Sequence, residues 1–199
     1  GQSVHLLVIA DGESSRFSNK DEKSKKILIS KRNEALEKAG KIIGFKSIEN
    51  LNYPDNRLDS IELLDLIKEI EKRVLNYKPK LVLTHYHSDL NIDHRKINEA
   101  TLVACRPLPG QCVKEIIFFE VPSSTEWQID PGKVFSPNYF FDISATIEKK
   151  LNALKCYQEE LREFPHPRSL KAVKNLALWR GSISGLNYAE AFIIARKIT

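Results

Sequence analysis

The sequence predicts an α/β fold, a mostly parallel sheet with helices on its faces. Three observations carry that reading. Apolar runs of strand length recur along the chain, beginning with Val-His-Leu-Leu-Val-Ile-Ala at residues 4–10 and returning as Leu81-Val82-Leu83; such unbroken runs suit parallel strands buried on both faces. Between them lie segments whose apolar residues repeat at helical spacing. Polar turns stand at the carboxyl ends of the runs, where open α/β sheets gather their ligands.

In order, the first strand ends in Asp11-Gly12-Glu13-Ser14-Ser15-Arg16, which reads as a substrate-facing loop or as an ordinary Asp-Gly turn. His5, inside the strand, is a packed or edge histidine. The charged block Lys20-Asp21-Glu22-Lys23-Ser24-Lys25-Lys26 reads as a solvated loop. A helix is predicted over 31–43 from Ala35, Leu36, Ala39, Ile42 and Ile43, with Gly44 as its C-cap. A short strand over 47–51 leads to the turn Tyr53-Pro54-Asp55-Asn56-Arg57. Ser60 is the expected N-cap of a second helix through Ile61, Leu64, Ile67, Ile70 and Val74.

The third strand opens the densest polar stretch, Thr84-His85-Tyr86-His87-Ser88-Asp89-Leu90-Asn91-Ile92-Asp93-His94-Arg95. It holds three of the chain's five histidines. Ile97, Ala100, Thr101, Ala104 and Cys105 set a helix directly behind it. Residues 113–121 and 139–143 read as further strands, joined through a Pro-Ser-Ser-Thr-Glu-Trp loop at 122–127 suited to covering a site; Trp127 in it either packs on its own loop or meets a ligand. A helix with Ile147, Leu151, Leu154 and Leu161 follows from Ser144. Ser169 caps another through Leu176 and Trp179, and the segment at 189–194 closes the chain as a strand or helix.

Composition narrows the class. At 199 residues, 42% hydrophobic and 29% charged, the chain fits one domain over 1–199 with a sizeable core, and disorder is excluded as the main description. The net charge of +5, from 31 basic and 26 acidic residues, is interspersed. No basic helical stripe with interleaved aromatics occurs, which argues against a nucleic-acid partner. No apolar run approaches the ~20 residues of a membrane span. Three cysteines without metal-ligand spacing suggest reduced thiols and a cytoplasmic address. No Gly-x-Gly-x-x-Gly follows a strand, so a nucleotide-dependent enzyme is disfavoured.

On residue types alone, Asn91-x-Asp93-His94 at a helix head is as compatible with metal binding as with a hydrogen-bonded surface loop, since one histidine supplies only one of the typically about three protein ligands of catalytic zinc. Thr84-His85, Asp89-x-Asn91-x-Asp93-His94-Arg95 and Ala104-x-Arg106-Pro107, together with Asp11-Gly12-Glu13, Tyr53-Pro54-Asp55-Asn56-Arg57-Leu58, Phe164-Pro165-His166-Pro167-Arg168-Ser169 and Ala189-Glu190-Ala191-Phe192, resemble the zinc-dependent de-N-acetylases of the PIG-L/LmbE-like family. The resemblance runs in order along nearly the whole chain.

That resemblance implies a Rossmann-like three-layer α/β/α fold and hydrolysis of an N-acetyl group from an amino sugar or glycoconjugate, a small-molecule partner; self-association is left open. It implies one divalent metal, zinc, with His94 as a ligand and Asp93 supporting an imidazole. Asn91 departs from the family, many of whose members carry a second histidine there; it can donate to an oxyanion but cannot transfer a proton, so His85 or His87 is the candidate for the acid role. Arg16 and Asp55 are the candidates for sugar hydroxyl or phosphate contacts, and His166 is read as a structural corner. The family's His-Pro-Asp-Asp segment, with two metal ligands and the general base, does not occur in the sequence, and the likeness begins at what resembles the family's second strand. The expectation is therefore a domain lacking about thirty N-terminal residues, one strand-and-helix unit, with weak or absent metal binding and no acetate release by this chain alone. The alternative is a non-catalytic sugar-binding or interaction module.

Overall fold

The computed structural model describes residues 2–16 and 22–199, without the side chains of Arg16 and Glu22. The elements run β1 (His5–Ala10), α1 (Glu22–Ile43), β2 (Ser47–Tyr53), α2 (Leu63–Tyr77), β3 (Leu81–His85), α3 (Ile92–Ala104), β4 (Glu115–Phe119), β5 (Tyr139–Asp142), α4 (Ile147–Leu154), α5 (Leu170–Ser182) and β6 (Ala189–Lys197). They form two compact units, one of residues 1–58 and 142–189, the other of 59–141 and 190–199.

In the first unit β1 and β2 pair in parallel, with His5 opposite Ser47 and Ala10 opposite Tyr53. Both strands therefore end at the same edge, and their loops meet there: the Asp11 N–H donates to the Tyr53 carbonyl at 2.8 Å. Helix α1 starts at Glu22, well before the predicted 31–43, so the part of the charged block from Glu22 on is helical and not a loop. The rest of that block lies outside the described residues. At the other end of α1 the predicted cap is present: Gly44 has φ +94°, and its N–H donates to Gly40 O at 2.8 Å, a left-handed stop that glycine adopts without steric cost. Ile147, Leu151, Val173 and Ala177 are the buried centre where α4 meets α5. Ser169 caps α5, its Oγ accepting from the Ala172 N–H at 3.0 Å. The predicted continuation of α4 to Leu161 is replaced by turns after Leu154.

Glycine at 181 is a packing requirement. A Cβ there would stand 2.6 Å from Leu186 O and 2.8 Å from Asn187 O, backbone atoms that have no rotamer with which to yield. Alanine recovers about 1 kcal/mol of helix propensity, while overpacking costs about 1–3 kcal/mol. Gly181→Ala is therefore expected to destabilise by about 1 kcal/mol, lowering Tm by about 2–4 °C for a chain of this size; calorimetry showing an unchanged or higher Tm would contradict the close approach.

In the second unit the strand order is β3-β4-β6-β5. β3 and β4 are parallel, from Leu81–Glu115 to His85–Phe119. β6 runs antiparallel to β4, which makes this sheet mixed and settles the C-terminal segment as a strand. Helix α2 buries Leu66, Ile67, Ile70 and Val74, a stripe set by the helical repeat; complete burial of Leu66 contributes about 2 kcal/mol. Leu64, expected in that stripe, is exposed. Ser60 sits in a short 3-10 turn, and the N-cap position falls to Glu62, which makes no side-chain cap bond. Helix α3 packs on α2 and β3, and its buried Ala100, Thr101 and Ala104 are small enough to let the backbones approach.

Candidate functional site

Parallel pairing of β3 and β4 brings two loops together at one sheet edge, residues 86–91 after β3 and the 122–134 loop after β4. The α3 N-terminus is built locally. Asn91 is its N-cap, with Oδ1 accepting from the Asp93 N–H at 2.8 Å and the His94 N–H at 3.4 Å, an arrangement that satisfies donors otherwise left open at a helix start. Asp93 is buried in the first turn, where a carboxylate complements the helix dipole.

The group that meets the His94 ring is Asp89. Its side chain is 0% exposed, and its Oδ1 lies 3.0 Å from His94 Nδ1. The same oxygen accepts from the Asn91 N–H at 2.9 Å and from Ser124 Oγ, while Oδ2 accepts from Thr125 Oγ1 at 2.6 Å. Burial alone raises a carboxyl pKa, but here the hydrogen bonds from His94, Ser124 and Thr125 outweigh it and bring Asp89 down to about 2. An ionised carboxylate is an acceptor only, so Nδ1 of His94 donates to it, and the neutral form of the ring held this way is the tautomer with its lone pair on Nε2.

His85 lies against the other face of this centre. Its ring stacks on that of His94 with centroids 4.2 Å apart and planes 19° from parallel, and its other neighbour is the Phe119 ring at 4.7 Å. Burial, then the proximity of His94, lower its pKa to about 3, so it is a neutral imidazole at any pH near 7. Its Nδ1 is buried without a hydrogen-bond partner among the described residues, a position at which an approaching donor would be strongly held. His87 bonds through Nδ1 to Ser88 Oγ at 2.7 Å, and burial lowers its pKa as well.

The 122–134 loop is fastened to this centre at further points. Gln128 Nε2 donates to Ser88 O at 3.1 Å, and Tyr86 OH donates to Val134 O at 3.2 Å. Trp127 is half-exposed on it.

The second cluster lies in the first unit, at the shared edge of β1 and β2. Asp11 is buried and its Oδ1 accepts from the Glu13 and Ser14 N–H groups at 2.9 and 2.8 Å. The Asp55 N–H donates to Ser14 Oγ at 2.8 Å, and the Asp55 carboxylate accepts from Ser15 Oγ and from Asn56 Nδ2 at 3.0 Å. The Arg16 side chain lies outside the described residues. In the same unit His166 Nδ1 accepts from the Arg168 N–H at 3.0 Å, as a turn-forming histidine does, and Glu160 bridges Arg32 at 2.6 Å and Arg168 at 2.5 Å.

The structure thus brings His85, Asn91, Asp93 and His94 into one centre, and places Asp55 in another loop cluster. The sequence placed Asp89 in a motif and Ser124 and Thr125 in a covering loop without giving any of the three a role. A signal existed for the last two: a hydroxyl run directly after an apolar strand that parallels the one bearing the histidines. Among the described residues no group of three or more His, Cys, Asp or Glu side chains is arranged to hold a metal. The donor set fits one ligand, Nε2 of His94, and falls short of a catalytic zinc site.

A parallel-strand edge that carries an oriented imidazole at a helix head defines an α/β protein with a strand-end site. Residues 1–105 match the PIG-L family, described as GlcNAc-PI de-N-acetylase; the match covers over half of the chain, which belongs to this family. The diacetylchitobiose deacetylase of Thermococcus kodakarensis is 27% identical over 195 residues, covering 96% of this chain and 71% of that protein. The N,N'-diacetylchitobiose deacetylase of Pyrococcus horikoshii superposes with a TM-score of 0.73 at 21% identity, over 98% of this chain and 73% of that one. GalB, the 4-carboxy-2-hydroxymuconate hydratase of Pseudomonas putida, gives 0.74 at 20% identity, over 99% of this chain and 85% of its own. At such identities the structural likeness is one of fold, which is Rossmann-like, and a single fold hosts both deacetylase and hydratase chemistry.

Proposed function

We propose that the protein is a metal-dependent hydrolase that removes the N-acetyl group from an amino sugar or sugar conjugate. The observation that carries this reading is the Asp89–His94 pair at the carboxyl end of β3, in a chain whose family description is de-N-acetylation. His94 is the metal ligand of this reading, and zinc the metal; when bound, zinc lowers the pKa of its water to about 7. The residues described here supply one ligand, so a bound zinc draws its others from outside this set.

The chain's own side chains have separable roles in it. Asp89 fixes the His94 tautomer, as carboxylates behind ligating imidazoles do. Asn91 uses its oxygen in the helix cap, and its amide nitrogen, the end of the side chain that can donate, is assigned to a developing oxyanion. Asp93, buried in the first turn, supports the imidazoles electrostatically. His85, with a pKa of about 3, enters as a neutral hydrogen-bonding imidazole; a role as proton source at neutral pH does not suit it. Arg16 and Asp55 are assigned to sugar hydroxyls or a phosphate. All three cysteines are unpaired, in keeping with a cytoplasmic address, and no helix among the described residues is long and apolar enough to cross a membrane.

Acetate release from N-acetylglucosamine conjugates, assayed with the protein at its full natural length with and without added zinc, tests the reading. Sugar binding without acetate release, zinc present, would make the protein a non-catalytic sugar-binding module instead. Asn91→Asp separates the cap from the chemistry. Aspartate caps a helix as well as asparagine does, so Tm is expected to shift by less than about 2 °C, while loss of an oxyanion donor lowers turnover on the order of a hundredfold. Turnover within a factor of about three of the parent would remove Asn91 from the mechanism.

A further inference from the structure

We propose that Ser124 and Thr125 are positioning residues for His94, acting through Asp89: their two hydroxyls lock the Asp89 carboxylate so that His94 is held as the Nδ1–H tautomer with Nε2 facing outward. The direction of the Thr125 hydroxyl is fixed by its own bonding. Oγ1 accepts from the Val121 N–H at 2.7 Å, so its single proton is committed to Asp89 Oδ2, 2.6 Å away. Ser124 engages the other oxygen, Oδ1, which also faces His94 Nδ1. Each carboxylate oxygen thus has its own hydroxyl, and the carboxylate cannot rotate without breaking both bonds.

The two donors are held from behind. The Ser124 N–H donates to Val121 O at 3.1 Å and to Glu126 Oε2 at 3.2 Å, and the Ser123 N–H donates to Glu126 Oε1 at 2.6 Å. Asp89, Ser124 and Thr125 are all buried, so water does not replace a deleted hydroxyl, and charge-assisted bonds in such surroundings are strong and directional. On the opposite side, stacking on His85 fixes the plane of the His94 ring. With plane and tautomer both set, Nε2 has one direction in which to present its lone pair. That this lone pair meets a metal rests on the reading above; the clamp and the tautomer do not.

A purely structural role, filling buried acceptor sites on Asp89, would leave the His94 tautomer unmoved. Long-range 1H–15N correlation spectra of the 15N-labelled 199-residue chain at pH 7.5, with His94 assigned by its loss in His94→Asn, read the tautomer without turnover or metal. The parent is expected to show His94 as Nδ1–H. Ser124→Ala/Thr125→Val should shift it toward the Nε2–H form, and Thr125→Ser should keep the parent spectrum. If the double variant does not fold, Thr125→Val alone gives the same comparison with one hydroxyl retained. In the full-length protein, zinc affinity by competition with a chelating dye should fall by about ten- to a hundredfold in the Val variant and recover in the Ser variant. An unchanged Nδ1–H signature in a folded variant, or equal effects of Thr125→Val and Thr125→Ser, overturns the proposal. Absent acetate release with an intact tautomer shift overturns the deacetylase reading and leaves the clamp standing.

Discussion

His94→Ala, made in the protein at its full natural length, is expected to lose stoichiometric zinc and to release acetate on the order of a thousandfold more slowly than the parent. The magnitude follows from the chemistry assigned to the metal, which is several kcal/mol of transition-state stabilisation. The loss should fall on kcat more than on KM, because Arg16 and Asp55, the sugar contacts of this reading, are untouched. Ring removal also unstacks His85 and leaves Asp89 with one donor fewer, so the fold must be monitored alongside; His94→Gln, which keeps a donor near Asp89, serves as the second variant. Metal content by elemental analysis decides the matter. Zinc retained at full stoichiometry in both variants removes His94 from the ligand set, and no zinc in the parent sinks the metal-dependent reading altogether.

The second large effect concerns Asp89. Asp89→Ala removes the acceptor of four donors around a fully buried carboxylate, and a buried donor left unsatisfied costs about 1–3 kcal/mol, so the change is expected to be among the most destabilising single substitutions in the second unit. The pH dependence has a definite sign. The folded-state carboxyl, at about 2, lies below its unfolded value of about 3.9. Its linkage contribution is therefore present in full above about pH 4, falls as the pH drops toward 2, and is gone below that. The shift corresponds to about 2 kcal/mol, undiscounted for screening because the side chain has no exposure. Urea unfolding of the parent and Asp89→Asn at pH 7 and pH 2.5 should show the stability gap between them narrowing by most of that amount. A gap that is the same at both pH values would mean that Asp89 is not held ionised by the cluster.

Much of the fold was legible from the sequence because its local parts are short-range. The N-cap at Ser169 and the C-cap at Gly44 each depend on residues within one helical turn, and the strand and helix order depends on periodicities that a window of residues displays. The same holds for the placement of the His-rich loop at a strand's carboxyl end and at a helix head. The ordered motifs carried the family likeness, which the match over residues 1–105 bears out. Misplaced boundaries had local causes too. Extension of α1 back to Glu22 occurs in a charged stretch with no apolar repeat to announce it, since lysine and glutamate are good helix formers without being core formers.

The α/β alternation, the family and the segment in which the imidazoles lie are thus all readable along the chain. Which groups surround the imidazoles is set by strand pairing. Ser124 and Thr125 stand 35 and 36 residues from the aspartate they bind, and no local pattern encodes a contact that parallel pairing of β3 with β4 creates. The charge states were likewise undecided in the sequence. His85 and Asp89 are ordinary titratable residues in a polar stretch until burial removes water from both. Without water, the His85 imidazole is held neutral, while the carboxylate, with four donors aimed at it, stays charged.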